Sequence, residues 1–241
     1  MTSSPTSSLR SETSMITDRD CLGSAQAQVI IVGAGGFAEE VIDYLRATSG
    51  VCISGIVDDY LRNDVPTHVR GVPFLGSLAA AMAQHPEARF VVAAGKPAFR
   101  EEVCEALLSQ DRQLHTVIHP SALVASDASI GAGCIIAPYA IVNAGADLEI
   151  GSVLNVFCSV GHGASVGPYS VLSPYAAING WAKVGRACFL GTRATVYPRV
   201  RVGDRCEIDT HSYAKADVDD RMIVTVRGEY RVLKNRLEKQ Q

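Results

Sequence analysis

The chain has 241 residues, with 25 acidic side chains against 22 of Lys and Arg, and a net charge of −3 at pH 7. It holds no basic run of the kind that binds nucleic acid, and no apolar stretch approaches the roughly 18 residues of a membrane span. We therefore expect neither nucleic acid nor a membrane as a partner. The cysteines and histidines lack zinc-ligand spacing, so no metal site is predicted.

Residues 1–27 form a segment of their own. They are rich in Ser and Thr and hold no apolar run of the length found in signal peptides. Such a composition predicts a disordered leader over this segment. A cytoplasmic protein is the corresponding expectation.

Residues 28–117 alternate between short apolar runs and helical patterns. The apolar runs predict three strands: Gln28–Val32, Cys52–Val57 and Phe90–Ala94. Helical spacing after the first and the third strand predicts two helices: Glu39–Ala47 and Ala98–Leu108. This alternation favours a small α/β domain of Rossmann-like βαβ type with a parallel sheet.

A glycine-rich loop joins the first strand to the first helix. Gly33, Gly35 and Gly36 fit the pattern G-x-G-x-x-G/A, in which the backbone approaches a pyrophosphate at a helix N-terminus. Asp58 and Asp59 follow the second strand, where an acid can bind a ribose. The pattern fits NAD, another nucleotide or a plain tight turn. A domain of about 90 residues is half of a full dinucleotide fold, which favours a single nucleotide or a nucleotide-sugar over NAD.

A six-residue repeat occupies the second half of the chain. From Ile118 to Ile208 every sixth residue is Ile, Leu or Val, and a small residue follows four places after each. This period predicts a solenoid of short strands over residues 118–216, with three hexads to a coil and residue i stacked on i+18. Four of the seven cysteines stand in the small position, where they are best explained as compact buried residues: Cys134, Cys158, Cys188 and Cys206.

Two further features of the repeat concern its corners and its end. Glycine follows the aliphatic position in six hexads, where we expect a corner with positive φ: Gly131, Gly161, Gly167, Gly185, Gly191 and Gly203. The period is lost in the tail, residues 217–241, and Tyr230–Lys239 has the pattern of a short amphipathic helix.

The order of these parts resembles the bacterial sugar O-acyltransferases. That family includes sialic-acid O-acetyltransferases and hexapeptide-repeat N-acetyltransferases of nucleotide-linked 4-amino-4,6-dideoxysugars. The matching segments are GAGGFAEEV in the glycine-rich loop, HPSA at His119–Ala122, LNVFCSVGHGASVG and LSPYAAING. The resemblance covers residues 28–216. It implies a left-handed parallel β-helix, a homotrimer with active sites between subunits, and acetyl-CoA as co-substrate.

Carried over residue by residue, the resemblance assigns chemistry to the repeat. It implies that His162 is a general base, that the Gly180 N–H stabilises the thioester oxyanion, and that Asn155 lines the same pocket. Gly180 and Trp181 are the residues expected to contact CoA. Trp181 packs either against the ligand or at a trimer face.

The resemblance also places a nucleotide-sugar on the N-terminal domain. It implies that the three loop glycines lie near the pyrophosphate and that Asp58 and Asp59 lie near the base or ribose. Lys96 is expected to assist with the phosphate charge. Arg100 either does the same or is a solvated helix residue.

One residue departs from the family pattern. The family follows its histidine with Glu or Asp, and this chain has Gly163.

The predicted function is that of an acetyl-CoA-dependent N-acetyltransferase acting on a nucleotide-linked amino sugar. Three alternatives stay open: an O-acetyltransferase of the sialic-acid type, a non-catalytic nucleotide-sugar-binding protein, which Gly163 supports, and an NAD-dependent enzyme.

Overall fold

The computed structural model describes residues 26–60 and 67–226. Most of the predicted leader lies outside these residues, and so do the predicted helix Tyr230–Lys239 and its flanks. Within the described ranges, no helix has the length and apolar character needed to cross a membrane.

The N-terminal part is a small α/β domain. Its main elements are β1 (Ala27–Val32), α1 (Gly36–Arg46), β2 (Val51–Val57), β5 (Arg89–Val92) and α3 (Pro97–Leu108). A two-stranded ribbon and a short helix lie between β2 and β5: β3 (His68–Val69), β4 (Val72–Pro73) and α2 (Leu78–Gln84). The three long strands pair in parallel in the order β2-β1-β5. The predicted α/β class is confirmed, with small shifts at the ends of the elements.

Residues 117–224 form a parallel β-helix with three flat faces. The first face holds β6 (Val117–Ile118), β9 (Ile135–Ile136), β12 (Val153–Leu154), β15 (Val171–Leu172), β18 (Phe189–Leu190), β21 (Glu207–Ile208) and β23 (Ile223–Val224). The second holds β7 (Leu123–Val124), β10 (Ile141–Val142), β13 (Ser159–Val160), β16 (Ala177–Ile178), β19 (Thr195–Val196) and β22 (Tyr213–Ala214). The third holds β8 (Ser129–Ile130), β11 (Asp147–Leu148), β14 (Ser165–Val166), β17 (Lys183–Val184) and β20 (Arg201–Val202).

The interior of the β-helix contains both phases of the repeat. Each strand pairs with the strand three hexads further along the chain, as Val160 does with Ile178. From Val124 onward the aliphatic residues form one continuous core with the small apolar residues, whereas Ile118, the first aliphatic position, is exposed. The four cysteines of the repeat are buried in it, and burial raises the pKa of the Cys158 thiol to about 12 and that of Cys188 to about 11. The prediction that they are packing residues is therefore confirmed.

The glycines of the repeat do not act as expected. None of the six glycines after the aliphatic position, all of them within the described ranges, has a positive φ. Their role is close packing: a Cβ on Gly161 would lie 2.6 Å from the backbone nitrogen of Gly180 in the next coil. The left-handed residues stand two places later in each turn, as at Gly163 with φ +60° and Trp181 with φ +62°.

The coil continues beyond the predicted boundary at position 216. β23 pairs with β21 through Glu207 and Ile223, so this last turn is shorter than the three hexads of the turns before it. The period is thus lost as the sequence predicts, but one shortened turn still adds a strand to the first face.

The N-terminal domain covers the first face and one edge of the β-helix. Val41, Ile42 and Leu45 of α1 share a core with outward-facing residues of the first face, among them Ile135 and Val153. Helix α3 lies against the turns that join the third face to the first, which we call the docking corner (residues 131–134, 149–152, 167–170, 185–188 and 203–206). Among the described residues, no hydrogen bond, ion pair or core contact joins this domain to the turns between the second and third faces.

Candidate active site

Two predicted site residues meet in those turns, which we call the His corner (residues 161–164 and 179–182). His162 is exposed in the turn between β13 and β14, and Gly180 lies one coil later. A Cβ on Gly180 would lie 2.5 Å from His162 Nε2 and 2.6 Å from Cε1. The imidazole therefore rests on Gly180, and any larger residue there would displace it.

Trp181 reaches back in the opposite direction. Its indole lies on Gly163, since a Cβ on Gly163 would be 2.4 Å from the indole Cε3 and Cζ3 atoms. The rings of His162 and Trp181 meet edge to face, with centroids 5.9 Å apart and an interplanar angle of 80°. Each ring thus lies on the glycine that neighbours the other ring in sequence.

The backbone of the His corner holds these rings in register. Trp181 N donates to His162 O at 2.9 Å, and Gly163 N donates to Ala144 O at 3.0 Å. The N–H of Gly180 donates to no acceptor within the described residues. It is therefore available to a developing oxyanion.

The orientation of the imidazole depends on packing. Across the described ranges, no side chain forms a hydrogen bond or ion pair with the His162 ring, so Gly180 and Trp181 provide its contacts.

No group of three or more His, Cys, Asp or Glu side chains in the same ranges is arranged to hold a metal ion.

Asn155 does not join this cluster within one chain. It begins the turn between β12 and β13, so the length of β13 separates it from the turn of His162. Its side-chain amide donates to Leu172 O at 3.0 Å. Asn143 and Asn179 make the same bond to Val160 O and Val196 O, which indicates a repeated coil-to-coil contact.

The N-terminal domain has a pocket at the carboxyl ends of its strands, with a volume of about 150 Å³. Three of its lining residues come from the predicted site: Gly33, Asp58 and Asp59. The opposite wall is formed by Tyr60, Leu78 and one face of α3: Phe99, Glu102, Val103 and Ala106.

Both aspartates of the pocket are engaged with backbone amides. Asp58 Oδ2 accepts from Ala34 N at 2.9 Å, and so ties the second strand to the glycine-rich loop. Asp59 Oδ1 accepts from Leu78 N at 2.9 Å, at the start of α2. These carboxylates therefore shape the pocket in addition to lining it.

The other predicted residues lie around this pocket. Gly35 and Gly36 are exposed at the start of α1, and a Cβ on either would meet no atom within 4 Å. Gly33 has φ +108°, and a Cβ there would lie 3.0 Å from Ala93 O. Lys96 is the exposed N-cap residue of α3. The loop thus leaves open space at a helix N-terminus, where an anion is favoured.

Arg100 has neither of the two roles expected for it. It is completely buried and donates to three backbone carbonyls, those of Val92, Gly133 and Gly151. Burial lowers the pKa of its guanidinium. Arg100 joins β5 and α3 to two turns of the docking corner, so it is a structural link between the domains.

Sequence reasoning missed the aromatic wall of the pocket. Tyr60 and Phe99 pack edge to face with centroids 5.1 Å apart. The four lining residues of α3 follow helical spacing, so the sequence shows that they share one face of the helix, but not that this face lines a pocket. Tyr60 had no such signal, because it lies in a turn and its position depends on Asp58 Oδ1, which accepts from Tyr60 N at 2.8 Å.

Comparison with known proteins shows which proteins the chain resembles. Residues 28–107 match the PglD N-terminal domain family. The chain is 29% identical over 112 residues to UDP-N-acetylbacillosamine N-acetyltransferase of Bacillus subtilis (strain 168). That match covers 45% of this chain and 50% of the relative, so it spans half the length of the curated protein.

Solved structures resemble both domains together. A mutant of perosamine N-acetyltransferase from Caulobacter crescentus, in complex with CoA and GDP-perosamine, has a TM-score of 0.77 and 27% identity, over 84% of this chain and 98% of that one. The acetyltransferase domain of PglB from Neisseria gonorrhoeae FA1090, in complex with acetyl coenzyme A, has a TM-score of 0.75 and 26% identity, over 82% and 95%.

These findings confirm the resemblance to nucleotide-sugar acetyltransferases with a hexapeptide-repeat, left-handed parallel β-helix. The Bacillus and Caulobacter proteins are named N-acetyltransferases and the Neisseria protein an acetyltransferase, and the solved structures include complexes with CoA and with acetyl coenzyme A.

Proposed function

We propose that the protein is an acetyl-CoA-dependent N-acetyltransferase acting on a nucleotide-linked amino sugar of the 4-amino-4,6-dideoxysugar type. The observation that carries this proposal is the His162 imidazole resting on Gly180, whose N–H is free within the described residues. A base and an oxyanion donor thus stand side by side at an exposed corner. The named similarities to perosamine and bacillosamine N-acetyltransferases support the choice of an amine as acceptor.

In the proposed mechanism each residue has one task. His162 takes a proton from the attacking sugar amine, for which an imidazole suits neutral pH. The Gly180 N–H stabilises the charge that develops on the thioester oxygen. Trp181, beside Gly180, borders the place of the thioester. The amine nitrogen bonds to the thioester carbon, the carbon–sulfur bond breaks, and CoA leaves as its thiolate. Because the acyl group of acetyl-CoA is already activated, no covalent enzyme intermediate is required.

The nucleotide-sugar is proposed to occupy the N-terminal pocket. Gly35 and Gly36 leave open space at the N-terminus of α1, which suits a pyrophosphate. Lys96 adds a positive charge at the start of α3. Asp58 and Asp59 hold the loop and α2 around the space for the base or ribose. Asn155 is proposed to line the pocket around His162 and Gly180, and not this one.

The two halves of this site lie apart within one chain. The pocket is on the side of α3 that faces away from the docking corner, whereas His162 is at the His corner. We therefore propose a homotrimer in which the pocket of one subunit faces the His corner of its neighbour. Exposed apolar side chains on the second face, Leu123 and Ile141, are available for such an interface. We expect the protein to act in the cytoplasm.

Co-expression of two inactive variants tests this arrangement. His162→Ala removes the base, and Gly35→Glu puts a carboxylate where the pyrophosphate is proposed, at a position with room for a side chain. If the site joins two subunits, random mixing restores up to about a quarter of the sites. No recovery in hetero-oligomers of confirmed composition would contradict a shared site.

An acceptor panel tests the activity itself. Purified protein is mixed with acetyl-CoA and UDP-, GDP- and dTDP-linked amino sugars, and thiol release is followed together with product mass. Release with an amide product supports N-acetylation, and an ester product from a sugar hydroxyl would favour the O-acetyltransferase. Absence of release with every acceptor, beside tight nucleotide-sugar binding, would establish the non-catalytic alternative.

A further inference from the structure

Trp181 is held at the His corner by contacts on two sides. Its backbone is in the left-handed conformation, with φ +62°, and its N–H donates to His162 O at 2.9 Å. One face of the indole covers Gly163, and the residue as a whole is 53% exposed. A large ring with a fixed position and an open face is suited to orienting a neighbouring side chain.

The imidazole of His162 needs such a neighbour. In the described part of the chain no hydrogen bond fixes its ring, and Gly180 supports it from one side alone. An exposed histidine free to change rotamer would spend part of its time away from the acceptor. The edge-to-face contact with Trp181 limits that motion.

We propose that Trp181 is a positioning residue for His162, and that Gly163 is the glycine that gives the indole its place. This inference rests on the proposed function for its catalytic consequence, but not for its geometry. Gly163 is then a steric partner of Trp181 and not only an absent carboxylate. Trp181 orients the His162 ring, and Gly163 provides the space that the indole needs to do so.

Gly163→Ala and Gly145→Ala separate this role from backbone strain. Gly145 occupies the same turn position one coil earlier, with φ +63°, and a Cβ there would meet nothing closer than 3.9 Å. Both substitutions cost the same left-handed strain, but only Gly163→Ala displaces the indole. We expect kcat to fall about tenfold for Gly163→Ala and for Trp181→Ala, and less than twofold for Gly145→Ala, since small misplacements of a base are costly.

A double substitution provides the rescue. With the indole removed, Gly163→Asp has room for a carboxylate next to the imidazole. We expect Trp181→Ala/Gly163→Asp to recover part of the kcat lost in Trp181→Ala. The acid limb of its kcat/KM profile should move to higher pH, because a neighbouring carboxylate raises the pKa of an imidazole. Trp181→Phe should retain more kcat than Trp181→Ala.

A spectroscopic measurement keeps the inference independent of activity. In protein labelled with 13C at histidine Cε1, the His162 resonance, assigned by His162→Asn, should shift and lose its ring-current contribution in Trp181→Ala and Gly163→Ala. It should stay in place in Gly145→Ala. An unchanged His162 resonance in Trp181→Ala would overturn the proposal, and so would a loss confined to KM for acetyl-CoA. Inactivity of the wild type with every acceptor would instead refute the proposed function, and the resonance would still report on the pair.

Discussion

Two corners of the β-helix share one packing arrangement, an aromatic ring on a glycine, but differ in what surrounds the ring. At the docking corner, a Cβ on Gly151 would lie 2.6 Å from the Tyr169 ring one coil later; at the His corner, a Cβ on Gly163 would lie 2.4 Å from the Trp181 ring. In both cases a left-handed glycine makes room for an aromatic residue that stacks on it from the next coil.

The difference between the corners lies in what covers the ring. Tyr169 is 2% exposed; its hydroxyl donates to Glu105 at 2.9 Å, and the Arg186 guanidinium lies 4.8 Å from its ring centroid. Trp181 is half exposed beside His162, whose ring has no hydrogen-bond partner in the described part of the chain. Helix α3 thus covers the aromatic ring at the docking corner, whereas the ring at the His corner stays exposed.

The largest expected effect comes from Arg100→Met. Three buried carbonyls would lose their donor, and each unsatisfied group costs about 1–3 kcal/mol. We expect the free energy of unfolding, measured by urea denaturation, to fall by about 3–5 kcal/mol. Arg46→Met is the matched control, since exposed Arg46 also donates to a carbonyl, that of Arg70. A loss for Arg100→Met as small as that of the control would show that the link contributes little.

The next largest effect is expected at the docking corner from Gly151→Ala. The added methyl must displace the buried Tyr169 ring, so we expect the free energy of unfolding to fall by about 2–4 kcal/mol. Gly145→Ala carries the same type of backbone strain without the clash and should cost about 1 kcal/mol. Equal losses in the two variants would mean that the Tyr169 ring relaxes without cost. In contrast, Gly163→Ala should affect activity more than stability.

A smaller, pH-dependent effect is expected from Glu101. Burial raises the pKa of this carboxyl, but hydrogen bonds from Arg186 and Arg205 outweigh it, so the pKa lies below its ordinary value of 4.5. Such a group stabilises the folded state above its ordinary pKa, and the contribution is lost as pH falls through the folded value. We therefore expect the free energy of unfolding to fall below pH 4.5.

Glu101→Gln should flatten this acid dependence, measured by denaturation from pH 6 down to about pH 3. Glu102→Gln is the control, because Glu102 is exposed on the other side of α3 and forms no ion pair within the described ranges. If the free energy of unfolding depended on pH identically in wild type and Glu101→Gln, the ion pairs of Glu101 with Arg186 and Arg205 would contribute nothing to stability.

The repeat made the fold predictable from the sequence. An aliphatic residue at every sixth position fixes which side chains enter the core, so the stacking of Val160 on Ile178 follows from the period alone. The role of Gly161 could not be foreseen, because its constraint is the distance to the next coil and not its own φ. The extra strand at Ile223–Val224 was hidden because the turn that leads to it is shorter than three hexads.

The sequence predicted which residues belong to the candidate site, but not how their side chains pack against one another. The spacing of three hexads places Gly180 next to His162 without a structure. The packing of Trp181 on Gly163 depends on side-chain direction, which the period does not give. Arg100 was misjudged for a similar reason, since a helical pattern does not reveal which face another domain covers.

The most direct test of the account is the effect of His162→Asn on kcat, measured with the best acceptor of the panel. Because the His162 side chain is exposed and makes no hydrogen bond within the described residues, the melting temperature should stay within about 2 °C of the wild type. We expect kcat to fall by a factor of about 100 to 10,000, as for the loss of a general base. A kcat within about threefold of the wild type, in a variant with unchanged stability, would show that the chemistry lies elsewhere.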